Sequence, residues 1–188
     1  MADETLSTLP RAFYDRGAED VARDLLGCRL AHRVGGTVRV GRVVETEAYL
    51  GPHDLAAHSA RGRTARTEVM FGPPGFAYVY LIYGVHHCLN AVTGSVGHAS
   101  AVLVRALEPL DHVEGNTRGP GLLCRALGID RSLNGRDLVG PDLFFAAAEK
   151  AEPFTVVARP RVGVAYAGEW ADKPLRFLIE GSPFVSRR

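Results

Sequence analysis

The sequence predicts an α+β fold: one mixed domain built on a largely antiparallel sheet. Three observations carry this expectation. Runs rich in β-branched and aromatic residues outnumber helical patterns, they follow one another across short turn signals, and no regular β-α-β alternation separates them. A length of 188 residues suits a single core, so 1–188 reads as one domain, with residues 1–8 a loose N-terminal tail.

Taken in order, GAEDVARDLLG at 17–27 places Val21, Leu25 and Leu26 at helical spacing, with Asp15 or Gly17 near the start and Gly27 as the stop. CRLAHRV and VRVGRVVETEAY read as two strands of a hairpin turning at Gly35-Gly36. Residues 50–62 read as a loop, Thr64–Phe71 as a short helix stopped by GPPG at 72–75. FAYVYLIYGVHHCLNAVTG reads as two strands turning near Tyr83-Gly84, and SAVLVRALEP as another strand. GPGLLCRALGI is helical, with Pro120 in its first turn and Gly128 at its end. Short strands are expected at 154–159, 161–165 and 175–180.

A chain that is 46% hydrophobic and 23% charged is ordinary for a soluble globular protein. No segment is long and apolar enough to span a bilayer, and the acidic, polar N-terminus does not read as a secretory signal. Cys28, Cys88 and Cys124 are odd in number, far apart and without zinc-ligand spacing, so core cysteines in a reducing cytoplasm and no metal site are expected. Net charge is only +1, yet the positive side is twenty Arg against two Lys. Arg suits bidentate phosphate contact and stacking, and a near-neutral chain binds a polyanion when its charges are segregated. The run His58–Arg66, HSARGRTAR, holds three Arg and no acid.

Three groupings could carry chemistry. In VVETEAYLG, Glu45, Glu47 and Tyr49 share one face of a strand by its period of two, with His58 further on. Carboxylate, phenol and imidazole suffice for acid–base work beside a flat ligand, although spacing alone favours a solvated or Arg-paired strand face. In YVYLIYG, Tyr78 is an ordinary core residue, whereas Tyr83 beside Gly84 sits at a hairpin tip, where an exposed aromatic is a candidate wedge or anchor. Arg105, inside the apolar strand AVLVRALEP, must either pair with a carboxylate such as Glu45, Glu47 or Glu108 or serve a site.

In order along the chain, VVETEAYLGPHDLAAHS, MFGPPGFAYVYLIYG, CLNAV, AVLVRALEPL, RGPGLLCRALGI, RVGV, AGEW, KPLRF and SPFVS resemble the alkyladenine (3-methyladenine or methylpurine) DNA glycosylase family, from about Leu9 to Ser186. The resemblance implies a curved antiparallel sheet with a protruding β-hairpin. It also implies an enzyme that flips alkylated or deaminated purines out of duplex DNA and hydrolyses the N-glycosidic bond, starting base excision repair. Carried over by position, Glu47 is the general base that activates water, and Arg105 holds that water and orients Glu47, keeping it ionised. Tyr49 and Tyr80 are the faces of an aromatic slot lined by His58. Asn90 crowds the guanine 2-amino position, and Tyr83 intercalates. Arg63 and Arg66 are candidate backbone contacts. Glu45 has no chemical role and is expected to pair with an Arg behind the site.

The family pattern departs at Leu122, where a basic residue is usual, at Thr67, where Asn is common, and at His86 and His87, where a more aromatic pair occurs. Retention of Glu47 and Arg105 argues against a damage-recognition protein that has lost turnover. The only lysines, Lys150 and Lys173, lie outside the motifs, and a lyase needs an amine nucleophile. A monofunctional enzyme is therefore expected; the resemblance implies a monomer without metal or organic cofactor, acting on double-stranded DNA in the cytoplasm, associated with the nucleoid if the source is bacterial.

Overall fold

The computed structural model describes residues 6–148 and 153–187. A single helical turn, α1 (Arg11–Tyr14), precedes α2 (Ala18–Leu25), which begins after Gly17 and turns Val21, Ala22 and Leu25 inward. Strands β1 (Arg29–Val34) and β2 (Thr37–Tyr49) form a hairpin around Gly35 (φ 57°) and Gly36 (φ 77°). Two successive left-handed residues are what a tight hairpin with the native twist requires. Strands β3 (Ala77–Ile82), β4 (His86–Thr93) and β5 (Ser100–Asp111) follow. Helix α3 (Pro120–Leu127) has Pro in its first turn and ends on left-handed Gly128, whose N–H donates to the Arg125 and Cys124 carbonyls. The short strands β6 (Leu143–Ala146), β7 (Val156–Arg159) and β8 (Arg176–Ile179) complete the chain.

All strand pairings are antiparallel, in the order β3-β4-β5-β2-β1-β6, with β8 joining β2 and β7 joining β8. The long strand β2 organises this sheet. Its first part, Thr37–Arg42, pairs with β1, and Glu45–Glu47 pairs with β8, while β5 runs along the other side. The β2–β5 register slips twice near the middle. Val43 faces Leu107 and Glu45 faces Ala106, leaving Val44 extra; Thr46 then faces Val104, leaving Arg105 extra. Bulges bend strands and re-aim side chains, and these two curl the sheet where its charged residues lie.

Helices α2 and α3 close the apolar face. Leu25, Leu123 and Leu127 bury there against Val44, Ala48, Val104 and Leu107 of the sheet. Each fully buried aliphatic side chain contributes about 1.5–3 kcal/mol relative to an exposed one. Thr46 faces these helices as well, and its hydroxyl donates to the Ala22 carbonyl at 2.8 Å. Glu45, Glu47 and Tyr49 point the other way.

Several local expectations are corrected. No strand forms at 161–165: the Val162 N–H donates to a glutamate side chain instead of a neighbouring strand, and Ala165–Trp170 coils into 3-10 turns. The helix expected over Thr64–Phe71 shrinks to a 3-10 turn at Glu68–Phe71, because the Thr67 hydroxyl takes over backbone groups at Gly62 and Thr64. Strand β6 has no counterpart in the sequence pattern: all four of its residues are buried, so it carries no alternation to read. Of the tail expected over 1–8, residues 1–5 lie outside the described residues, while Thr8 bridges Ala146.

Candidate active site

The side chains of Glu45, Glu47 and Tyr49 emerge on one side of β2, and the bulge in β5 brings Arg105 between the two acids. Arg105 lies 3.3 Å from Glu45 Oε1 through Nε and 3.5 Å from Glu47 Oε1 through Nη1. Both carboxylates are fully buried. Glu47 also accepts from the Val162 N–H at 2.7 Å and from the Tyr49 hydroxyl at 2.8 Å. Glu45 accepts from Arg176 Nη1 at 3.0 Å, from the Ser186 N–H at 2.6 Å and from the Ser186 hydroxyl at 2.9 Å. The expected pairing of Glu45 with an Arg thus involves two, Arg105 and Arg176.

Burial pushes the Glu47 carboxyl above the usual carboxylate range; Arg105, the Val162 N–H and the Tyr49 hydroxyl pull it back only in part. Arg105 lowers the proton affinity of this carboxyl, as expected, but the desolvation around it is the larger effect.

Above Glu47 opens a cleft of about 610 Å³, within the about 300–1,000 Å³ usual for small-ligand sites. Tyr49, His58, Tyr80, Tyr83, Asn90 and Arg105 all line it, together with Tyr78 and Cys88. Glu47 itself stays beneath, covered by Tyr49, Arg105 and Val162. The His58 and Tyr80 rings meet edge to face at 4.6 Å between centroids. Tyr78 is buried, as expected of a core residue, yet its hydroxyl also bonds His58 Nδ1 at 2.9 Å. Asn90 is fixed by a bond from its Nδ2 to the Tyr78 carbonyl at 3.1 Å. His58 opens a 3-10 turn, so its N–H has no partner within that turn.

At the lip, Tyr83 is 87% exposed at the β3–β4 tip with φ 52°, followed by Gly84 with φ 70°. A left-handed residue with a Cβ costs about 1–2 kcal/mol. Arg66 lies over the Tyr80 ring at 5.3 Å, whereas Arg63 pairs with Glu68 at 3.2 Å on the exposed surface. Thr67 is buried in its turn, Leu122 is half-buried on α3, and His86 packs against Gly121 of that helix. Lys173 Nζ sits over the Trp170 ring at 3.7 Å, and Lys150 lies outside the described residues. Among the described residues no group of His, Cys, Asp and Glu gathers as metal ligands, and no helix is long and apolar enough to cross a membrane.

The sequence reading missed a support beneath Tyr49. Arg161 and Asp54 form a fully buried bidentate pair, with Nη1–Oδ2 at 2.5 Å and Nη2–Oδ1 at 2.9 Å. Asp54 also accepts from the Leu50 and Ala56 N–H groups. Arg161 donates to the Ala48 and Trp170 carbonyls, and its guanidinium carbon lies 4.8 Å from the Tyr49 ring centroid. This pair fixes the loop carrying His58, the ring of Tyr49 and the residue before Val162. No local pattern could reveal it: an Asp in a turn and an Arg in an apparent strand look ordinary.

Burial and the nearby Arg66 and Arg61 push the His58 imidazole down to about 4. Its ring is therefore neutral through the neutral range and gains a proton only as the pH falls past that value. Titrating the His58 ring signals by NMR should give a midpoint near 4; a midpoint near the ordinary 6.5 would show that burial and the two arginines do not control the ring.

Residues 12–183 match the methylpurine-DNA glycosylase (MPG) family. A protein of Anaeromyxobacter dehalogenans (strain 2CP-1 / ATCC BAA-258) named "Putative 3-methyladenine DNA glycosylase" is 58% identical over 182 residues, covering 95% of this chain and 85% of that relative. Proteins of the same name from Legionella pneumophila (strain Corby) and Myxococcus xanthus (strain DK1622) are 52% and 53% identical, over 95% and 97% of this chain and 98% and 95% of the relatives. The chain belongs to the methylpurine-DNA glycosylase family.

Proposed function

We propose that this protein is a monofunctional glycosylase that rotates an alkylated or deaminated purine nucleotide out of duplex DNA into the cleft and hydrolyses its N-glycosidic bond with water activated by Glu47. The observation that carries the reading is the position of Glu47, a buried carboxylate held beneath an aromatic cleft by one cation, one N–H and one hydroxyl. Its raised proton affinity makes its ionised form a stronger base than the carboxylate of an exposed glutamate. Water admitted beside Arg105 gives its proton to Glu47, and its oxygen bonds to C1′. The C1′–N bond breaks, its electron pair leaves with the base, and the carboxylate stabilises the oxocarbenium-like transition state.

The cleft chemistry supports the substrate class. Tyr49, Tyr80 and a neutral His58 offer π surfaces without a charge of their own to repel a cationic alkylpurine. The backbone N–H of His58, which has no partner within its turn, suits an acceptor on the purine 6-position, and the fixed Asn90 side chain excludes a guanine 2-amino group. Tyr83 at the exposed tip fills the gap left in the stack. Arg66 and Arg61 at the cleft supply positive charge toward the phosphates, whereas the Arg63–Glu68 pair weakens the case for Arg63. The partner is double-stranded DNA, and the protein acts as a monomer in the cytoplasm or on the nucleoid.

Glu47→Gln keeps the hydrogen-bonding shape but no base. Single-turnover excision from hypoxanthine- or ethenoadenine-containing duplex should fall by about a hundredfold or more, with binding retained; undiminished excision would refute the mechanism. The wild-type product should be an abasic strand, with no covalent complex trapped by borohydride; a trapped complex would reveal a lyase. Tyr83→Ala should bind damaged duplex about tenfold more weakly and flip less, as read by 2-aminopurine fluorescence beside the lesion. Wild-type affinity in that variant would remove the wedge assignment.

A further inference from the structure

Behind Arg105 lies a contact that the proposed reaction leaves unused. The guanidinium of Arg105 spreads three nitrogens over three partners: Nε toward Glu45, Nη1 toward Glu47 and Nη2 toward the Ser186 hydroxyl at 3.3 Å. Ser186 Oγ accepts from Arg105 and donates to Glu45 Oε1, while the Ser186 N–H donates to Glu45 Oε2. A hydroxyl can accept and donate at once, so the proton directions are consistent around the ring of Glu45, Ser186 and Arg105.

We propose that Ser186 is a positioning residue for glycosidic-bond hydrolysis: its hydroxyl locks the rotation of the Arg105 guanidinium and so keeps Nη1 on Glu47. The inference rests on the reading of Glu47 as the base. Without that hydroxyl, Nη2 loses its partner, and the fully buried Glu45 loses one donor while keeping Arg105 Nε, Arg176 and the Ser186 N–H. The guanidinium then turns toward Glu45, and its hold on Glu47, already the longer contact at 3.5 Å, is the one that weakens. The groups around Glu47 include Arg105 from β5, Glu45 and Tyr49 from its own strand, Cys88 and Tyr80 from the hairpin, the Val162 N–H, and Arg176 of β8, which stands opposite Glu47 in register but gives its guanidinium to Glu45 and the Pro160 carbonyl. Arg105 is the cation paired with Glu47, so its retreat raises the proton affinity of Glu47 further.

The segment carrying Ser186 is anchored independently of the hydroxyl. Arg176 donates to the Arg187 carbonyl at 3.2 Å, Arg118 Nε to the Val185 carbonyl at 3.5 Å, and Val185 is buried. Removing Oγ therefore perturbs the ring and leaves the segment docked.

The test is single-turnover excision from hypoxanthine-containing duplex across pH, with binding and melting temperature measured in parallel. Ser186→Ala should lose about tenfold in excision rate while binding lesion duplex like wild type. The acid limb of its rate profile should move to higher pH by roughly half a unit or more, and Ser186→Thr should restore both. If Ser186→Ala folds poorly, Ser186→Cys, whose thiol is a much weaker hydrogen-bonding group, carries the same expectation. An unchanged rate and acid limb would overturn the assignment, as would a slower variant whose acid limb stays in place and which Thr fails to rescue. Glu47→Gln run alongside separates the two claims: an active Glu47→Gln removes the base reading, whereas an inactive one with a wild-type-like Ser186→Ala removes only the role of Ser186.

Discussion

The structure depends on one guanidinium shared between two buried carboxylates. Glu45 and Glu47 lie two residues apart on one side of a strand with no access to solvent. Each buried ion loses several kcal/mol of hydration, and two like charges this close add repulsion. The arrangement is tolerable because Arg105 stands between them and Arg176 covers Glu45 from behind, giving two cations for two anions. Such a cluster stabilises the fold only when complete, since removing one member strands its partner in a dry interior. The sheet is shaped around this requirement: β5 leaves Arg105 extra in the register, β2 leaves Val44 extra, β8 brings Arg176, and the segment at 184–187 closes the remaining side.

From this cluster follows a division of labour between the two acids. Glu45 accepts from two arginines and from both donors of Ser186, which leaves it no free geometry for chemistry. Glu47 has one cation at the edge of contact and two neutral donors, beneath the cleft that holds the aromatic residues. The Asp54–Arg161 pair plays the matching part on the opposite side, fixing Tyr49 and the backbone at Val162. Rigid walls around a small cleft set both the reach of the carboxylate and the shape of what enters.

Much of this was legible in the residues because it is local. The period of two put Glu45, Glu47 and Tyr49 on one face, the apolar strand around Arg105 demanded a carboxylate partner, and Tyr83-Gly84 marked a hairpin tip. Spacing could not choose between a solvated face and a site; the ordered resemblance along the chain did. What stayed hidden is non-local. Asp54 and Arg161 are 107 residues apart and Glu45 and Ser186 are 141 apart, and neither pairing leaves a periodic trace. The bulges at Val44 and Arg105 exist only in the register between two strands. Residues 161–165 alternate like a strand, yet the Val162 N–H and the Arg161 side chain are taken by two acidic side chains. The raised proton affinity of Glu47 is hidden for the same reason, since the Arg is visible in the sequence and the depth of burial is not.

Burial outweighs Arg105 in setting the proton affinity of Glu47, and Arg105 restrains the rise. The most direct measurement is a ¹³C NMR titration of the Glu47 carboxyl carbon, assigned through Glu47→Gln, in wild type and in Arg105→Gln. The wild-type midpoint should lie above the ordinary value of 4.5, and higher still once Arg105 is neutralised. A wild-type midpoint at or below the ordinary value, or one indifferent to the loss of Arg105, would contradict this balance.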